Sequence, residues 1–237
     1  KRASERKLCG NFSATWSDVD VVSRLMYNVC IKSTILYPFC TYTMKLEKEL
    51  KLYQIAEDQA GYFSLQQAKE LGLQRNQIYR DIERGKFIKV GHGVYRFVQF
   101  PSSNFEEVHR AVLGAGKEAV VGFQSALYVY DLSDIIPDEI HLILPPTASR
   151  RRDGIRVHTI QLEPDDITFF EGLPITTVAK TIMDCAFANI SDEEVRLAIR
   201  QSLRRGMTTR EKLVQESEKR SAMIQRLIRQ TVEGIKL

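Results

Sequence analysis

The stretch SLQQAKELGLQRNQIYRDIERGKFIKVGHGVYRFV, Ser64 to Val98, limits the fold more than any other part of the chain. Ser64 with Gln67 three residues on is a capping-box start, and Gly72 stops the short helix that it opens. A second helix is predicted from about Gln74 to Arg84, burying Ile78 and Ile82 at i, i+4 and turning Arg75, Asn76, Gln77, Tyr79, Arg80 and Arg84 outward, until Gly85 ends it. KFIKV, then Gly91-His92-Gly93, then VYRFV are two alternating runs joined by a glycine turn, the pattern of a hairpin. Helix, turn, helix and hairpin in that order make a winged helix-turn-helix, whose second helix has the size and shape of a B-DNA major groove.

The donors on that helix match base edges. Arg75, Arg80 and Arg84 suit guanine O6/N7, and Gln74, Asn76 and Gln77 suit adenine N6/N7, with Tyr79 among them. Lys89, His92 and Arg96 on the wing fall where phosphates would run. A charged helix face is more often simply solvated. The hairpin decides for nucleic acid, together with a balance of six Arg/Lys against two acids over residues 74–100.

At 237 residues the chain is long enough for two small domains, each with its own core. Its net charge of +4 is too small to indicate a nucleic-acid partner, but the distribution is uneven: +3 over residues 1–43, +3 over 44–100, −6 over 101–190 and +4 over 191–237. Residues 1–43 are unlike the rest. They hold Cys9, Cys30, Cys40 and the only tryptophan, Trp16, and no period persists in them; Arg24 and Lys32 interrupt every apolar run, so neither a signal peptide nor a membrane span fits. An amphipathic pattern starts at once after Met44. The expectation is that Met44 is the natural start and that residues 1–43 are a disordered, non-native upstream leader; native peptides found N-terminal to Met44 would refute it.

From Lys45 to about Gln59, Leu46, Leu50 and Tyr53 predict the inner face of a first helix that completes a three-helix core. Glu49-Leu50-Lys51 has the E-x-K form of some nucleases, but that motif belongs on a strand and here it is a helix surface. Pro101-Ser102-Ser103-Asn104 is the predicted boundary after the wing. Beyond it, helices are expected over 105–113, 122–134 and 177–188, and strands over 119–121, 139–146, 154–162, 166–170 and 173–176. Ser191 with Glu194 and Thr208 with Glu211 are two more capping boxes, opening a helical tail over 191–204, 208–216 and 218–233. The fold class is therefore α+β: a winged helix-turn-helix over 44–100, a mixed α/β domain over 101–190, and a helical C-terminal extension over 191–237.

A search for chemistry finds no enzyme. His92, His109, His141 and His158 form no H-E-x-x-H helix, and His141 with His158 on neighbouring strands would satisfy local hydrogen bonds rather than hold a metal. Cys185 sits on an apolar helix face with no base, which fits packing. Asp165-Asp166 follows a proline, as a turn or cap would, and no G-x-S-x-G, P-loop or G-x-G-x-x-G occurs, so no cofactor is expected. Few cysteines after Met44 and no export signal point to a reducing cytoplasm.

GKFIKVGHGVYRF, GFQSALYVYDLSDIIPDEIHLILPP and GLPITTVAKTIMDCAFA, in that order and spacing, resemble the AbiEi-type antitoxins of bacterial type IV toxin-antitoxin systems, over roughly Met44 to Leu237. The resemblance implies a winged-helix domain that represses its own operon at promoter inverted repeats, and a C-terminal domain that counteracts a nucleotidyltransferase toxin encoded next door without a stable complex. By position it assigns double-stranded DNA binding to Gln74, Arg75, Asn76, Gln77, Tyr79, Arg80, Lys89, His92 and Arg96. For a basic antitoxin surface it offers Arg150, Arg151 and Arg152 on a loop and the i, i+4, i+8 stripe Arg196, Arg200 and Arg204, although residues 101–190 are net acidic. Two other readings stay open: a stand-alone winged-helix regulator whose second domain binds an effector or a partner, and a nuclease that uses the winged helix only for delivery. A nucleotidyltransferase frame downstream separates the first from the antitoxin, and plasmid cleavage with Mg²⁺ tests the second.

Overall fold

Burial in the helix-turn-helix segment is organised around a cluster of aromatic rings. A computed structural model of the protein describes residues 37–134, 136–146, 153–188 and 190–235, with side chains from residue 46 onward. Contacts divide the chain at Leu50, and residues 51–237 form one compact unit. Helix α1 (Tyr37–Asp58) begins earlier than the Lys45 start expected from periodicity. Its inner face also differs: Leu46 and Leu50 are each 56% exposed, whereas Leu52 and Ala56 are buried. The phase is set by Tyr53, which packs edge-on against Phe97 and also meets Phe100, with ring centroids 5.5 Å away in both cases. Glu49-Leu50-Lys51 thus lies on a helix, as expected.

Strand β1 (Tyr62–Ser64) and helix α2 (Leu65–Glu70) follow, then α3 (Arg75–Glu83), β2 (Phe87–Gly91) and β3 (Val94–Phe97). The predicted capping box closes α2: Ser64 Oγ accepts from Gln67 N at 3.2 Å, and Gln67 Oε1 accepts from Ser64 N at 2.8 Å. Gly72 and Gly85 adopt φ of +75° and +73°, the left-handed conformation in which α2 and α3 end. The hairpin is present, with a bulge between Lys89 and Gly91, but it belongs to a three-stranded antiparallel sheet of order β1-β3-β2. The strand missed in the sequence is β1, too short to show a period. Phe63, Ile78, Phe87, Tyr95 and Phe97 fill the core beneath, with Ile82 partly buried against it.

The rest of the unit is built on a five-stranded mixed sheet of order β6-β5-β4-β8-β7. Its elements are α4 (Glu106–Ala115), β4 (Val120–Val121), α5 (Phe123–Val129), β5 (Ile140–Ile143), β6 (Ile155–His158), β7 (Ile167–Phe170), β8 (Leu173–Thr176) and α6 (Val178–Phe187). Strands β5 and β6 run parallel, as do β4 and β8, while β4–β5 and β7–β8 are antiparallel. Asp165 and Asp166 lie in a 3-10 turn where Asp166 Oδ2 accepts from Glu163 N, a capping role. Cys185 is fully buried and its thiol is pushed well up by burial, consistent with packing.

Helices α7 (Asp192–Arg204), α8 (Arg210–Glu218) and α9 (Ala222–Glu233) close the core. Ser191 caps α7 through Glu194 N at 3.3 Å. For α8 the cap is Thr209, which accepts from Lys212 N at 3.2 Å, one residue beyond the Thr208 expected. No helix among the described residues is long and apolar enough to cross a membrane.

The predicted break at Pro101–Asn104 is a turn, yet residues on its two sides are tied together. Tyr62 Oη donates to Glu106 Oε2 at 3.0 Å and accepts from Ser103 N at 3.1 Å, and the Tyr62 ring stacks on His109 with centroids 4.6 Å apart. Gly172, at φ +72°, leaves no room for a side chain, since a Cβ there would lie 2.8 Å from Ala60 N.

Candidate nucleic-acid interface

Helix α3 is short, and its N-terminus is held by a side chain. Gln77 Oε1 reaches back to accept from Gln74 N at 2.7 Å, so Gln77 serves as a cap and is half-exposed. Gln74, Arg75, Asn76, Tyr79, Arg80 and Arg84 are exposed, while Ile78 opposite them is 1% exposed and anchors the helix. The burial of one face and the solvation of the other follow from the i, i+4 pattern in the sequence.

The polar face is preorganised. Arg75 Nε and Nη2 donate to Tyr79 Oη at 3.2 and 3.0 Å, and the guanidinium lies 5.5 Å from the Tyr79 ring centroid. Tyr95, on β3, is buried and hydrogen-bonds Tyr79, which joins the helix to the wing sheet. The Arg75 guanidinium holds the Tyr79 phenol below the usual tyrosine range, and Lys89 adds to the same effect. Arg80 Nε donates to Asn76 O at 3.3 Å, which orients its fork along the helix, and Arg84 pairs with Asp81 at 3.5 Å. His92 is exposed at the tip of the wing turn.

Arg96 is a correction. It was expected on the phosphate-facing surface, but its side chain is only 11% exposed. The sheet is covered by α4 on that side, so Arg96 Nη1 donates to Phe100 O, its Nε lies 3.9 Å from Glu106 Oε2, and its guanidinium stands 6.0 Å from the Tyr62 ring. Alternation along β3 puts Arg96 opposite Tyr62 and Ile88, and α4 covers the Tyr62 side while Ile88 stays exposed.

The basic stripe on α7 is also divided. Arg200 and Arg204 are exposed, but Arg196 turns to donate from Nη1 to Thr231 Oγ1 at 3.0 Å, tying α7 to α9. Arg150, Arg151 and Arg152 lie outside the described residues.

A second polar cluster lies in the larger core. His141 on β5 and His158 on β6 come together, with Nδ1 and Nε2 3.3 Å apart, so each meets local hydrogen-bonding needs of the other. Phe123, held at φ +53°, stacks on His158 at 3.8 Å, and Ser125 Oγ accepts from His141 N at 2.8 Å. Burial pushes the His141 imidazole down to about 4, with His158 and Arg156 adding repulsion, and it pushes His158 down as well. Nearby, Lys180 Nζ lies 2.7 Å from both Asp184 oxygens, and Arg220 Nη2 donates to Asp184 Oδ1 at 2.6 Å. With two cations on its one carboxylate, Asp184 is the centre of a brace between α6 and the α8–α9 turn. Lys180, Asp184 and Arg220 were not singled out from sequence. The usable signal was a Lys and an Asp at i, i+4 within the otherwise apolar VAKTIMDCAF. Among the described residues no group of three His, Cys, Asp or Glu is arranged to hold a metal ion.

Comparison with known proteins places the first region. Residues 51–98, the helix-turn-helix with its wing, match the family model described as transcriptional regulator, AbiEi antitoxin. No curated protein matches the chain in sequence. The crystal structure of the RV2827C protein from Mycobacterium tuberculosis is similar with a TM-score of 0.45 and 16% identity, over 76% of this chain and 74% of that chain.

Proposed function

We propose that this chain, in which residues 51–98 carry the AbiEi antitoxin and transcriptional-regulator segment, is a bacterial type IV antitoxin that works in the cytoplasm. In this reading it represses its own toxin-antitoxin operon by binding promoter inverted repeats, and it counteracts a nucleotidyltransferase toxin without a lasting complex. The observation that carries the DNA-binding half is the solvated face of α3, where Arg75, Asn76, Tyr79 and Arg80 are exposed side by side, with Lys89 and His92 exposed on the wing. An arginine fork already oriented by neighbours loses little conformational freedom when it meets a guanine edge. Arg200 and Arg204 are the cations that the antitoxin role would use on the C-terminal helices.

The test is a mobility shift with the DNA upstream of the gene, at about 150 mM salt with random competitor, because affinities have meaning only at stated salt. A specific shift is expected, and Arg80→Ala should weaken it by about 1 to 3 kcal/mol and relax the preference for the operator over random DNA. Unchanged discrimination in Arg80→Ala would demote Arg80 to a phosphate contact. No shift at all would overturn the repressor reading. Co-expression with a nucleotidyltransferase gene, if one is found next to this gene, then tests the antitoxin half, where rescue of growth should weaken in an Arg200→Ala/Arg204→Ala variant.

A further inference from the structure

Two glycines frame the wing turn, and they are needed for different reasons. Gly93 takes the left-handed conformation, at φ +71°, which few other residues adopt. Gly91, the last residue of β2, does not. What excludes a side chain at Gly91 is a neighbour: a Cβ there would lie 2.7 Å from both Cγ and Cδ of Arg110. Arg110 belongs to α4, beyond the helix-turn-helix segment, and its stem rests on the wing one residue from the exposed His92 at the tip.

The head of Arg110 stays in water. Its side chain is 50% exposed, and Nη2 lies 3.7 Å from Oε1 of Glu107, an exposed residue one turn back on α4. Exposed pairs of this kind hold little free energy, so the guanidinium can turn to a stronger anion. Because the stem is already packed, only the end of the side chain has to be ordered when it does. The register of the hairpin places it. Lys89 pairs with Tyr95 on the face that packs on the helix-turn-helix core, and Ile88 pairs with Arg96 on the face toward α4. Arg96, the cation that β3 itself offers on that second face, is withdrawn under α4, and Arg110 stands outside it. The wing end thus has an exposed cation on each face, Lys89 on one and Arg110 on the other, with His92 at the tip.

We propose that Arg110 is a backbone-phosphate contact of the DNA-binding surface, lent to the wing by α4, and that Gly91 is small so that Arg110 can stand beside the tip. Its partner is the sugar-phosphate backbone of duplex DNA next to the groove that the wing approaches. A guanidinium there fixes register and orientation and carries no sequence information, unlike the donors on α3. The inference rests on the DNA-binding reading and extends it, because the footprint then runs past the wing into the larger core.

The experiment measures binding of the full chain to the DNA upstream of its gene and to a random duplex, by fluorescence anisotropy between about 50 and 200 mM salt. Arg110→Gln should weaken both duplexes alike, by about five-fold at about 150 mM salt, and should reduce the slope of log K against log salt by about 0.9, the value for one phosphate. Arg226→Gln, which removes an exposed cation from α9, controls for net charge and should leave the slope unmoved. Gly91→Ala should reproduce part of the Arg110→Gln loss, and should cost nothing further when Arg110 is alanine, since the space is then free. An unchanged slope in Arg110→Gln, an equal fall in Arg226→Gln, or weakening confined to the upstream DNA would overturn the phosphate assignment. Gly91→Ala as harmful in the Arg110→Ala background as without it would overturn the link between the two residues. If the unaltered chain binds neither duplex, the DNA-binding reading falls and this inference with it; if it binds and Arg110→Gln changes nothing, the inference alone falls.

Discussion

The face of α3 and the His141–His158–Lys180–Asp184–Arg220 cluster are both polar, and they are built by opposite rules. On α3 the groups lie within ten residues of their neighbours in sequence and most face water, with buried Tyr95 behind Tyr79. In the buried groups, His141 on β5 meets His158 on β6, and Lys180 and Asp184 on α6 meet Arg220 from the α8–α9 turn where Asp184 is 1% exposed. Removing a group from the first leaves solvated neighbours that water satisfies. Removing one from the second strands a charge in the core. The comparison teaches that polarity serves recognition where it is exposed and architecture where it is buried.

The largest effect that would break this distinction belongs to the cluster. Asp184→Ala leaves Lys180, 8% exposed, without its carboxylate and should cost about 3 to 5 kcal/mol in urea unfolding. Replacing Lys180 by Met in the same variant should restore much of that; a loss under about 1 kcal/mol in the single variant would contradict the brace. Acid comes next. His141 and His109 are held at about 4 against 6.5 by burial, so the folded chain binds their protons less readily than the unfolded chain. Their contribution is complete above pH 6.5 and is lost as the pH falls toward 4, at up to about 1.4 kcal/mol per pH unit for each imidazole. Urea midpoints that stay flat from pH 7 to 5 would refute it, and glutamine at either position should reduce the slope.

Smaller effects are expected on α3, and in binding rather than stability. Arg75→Met removes the two N–H donors that Tyr79 Oη accepts and should cost about 1 kcal/mol of operator affinity with an unchanged melting temperature. A change in melting temperature instead would make the pair architectural, like the cluster. Lys89→Ala should act least and alike on all DNA: with about four phosphates neutralised the slope of log K against log salt should be about −3.6, and this change should reduce it by about 1.

Local chemistry was legible from residues alone. The Ser64–Gln67 box, the helix-stopping Gly72 and Gly85, the glycine-turned hairpin and the elements from Glu106 to Glu233 stand within a few residues of where periodicity and caps put them. What failed were directions that depend on a neighbour. Leu46 and Leu50 satisfy the period of α1, but the aromatic group of Tyr53, Phe97 and Phe100 selected the Leu52–Ala56 side. Arg96 and Arg196 read as free cations, and α4 and Thr231 engaged them.

By itself, then, the sequence determined which segments become helices and strands and which cations on α3 meet solvent, because caps, glycine dihedrals and i, i+4 spacing act over a few residues. Tertiary structure alone decided that β1 joins the wing as a third strand, that α4 covers Arg96, that two histidines seventeen residues apart share a hydrogen bond, and that the Arg110 stem rests on Gly91 of the wing. Those outcomes depend on which surfaces meet, and contact between distant segments leaves no period in the chain for local reasoning to find.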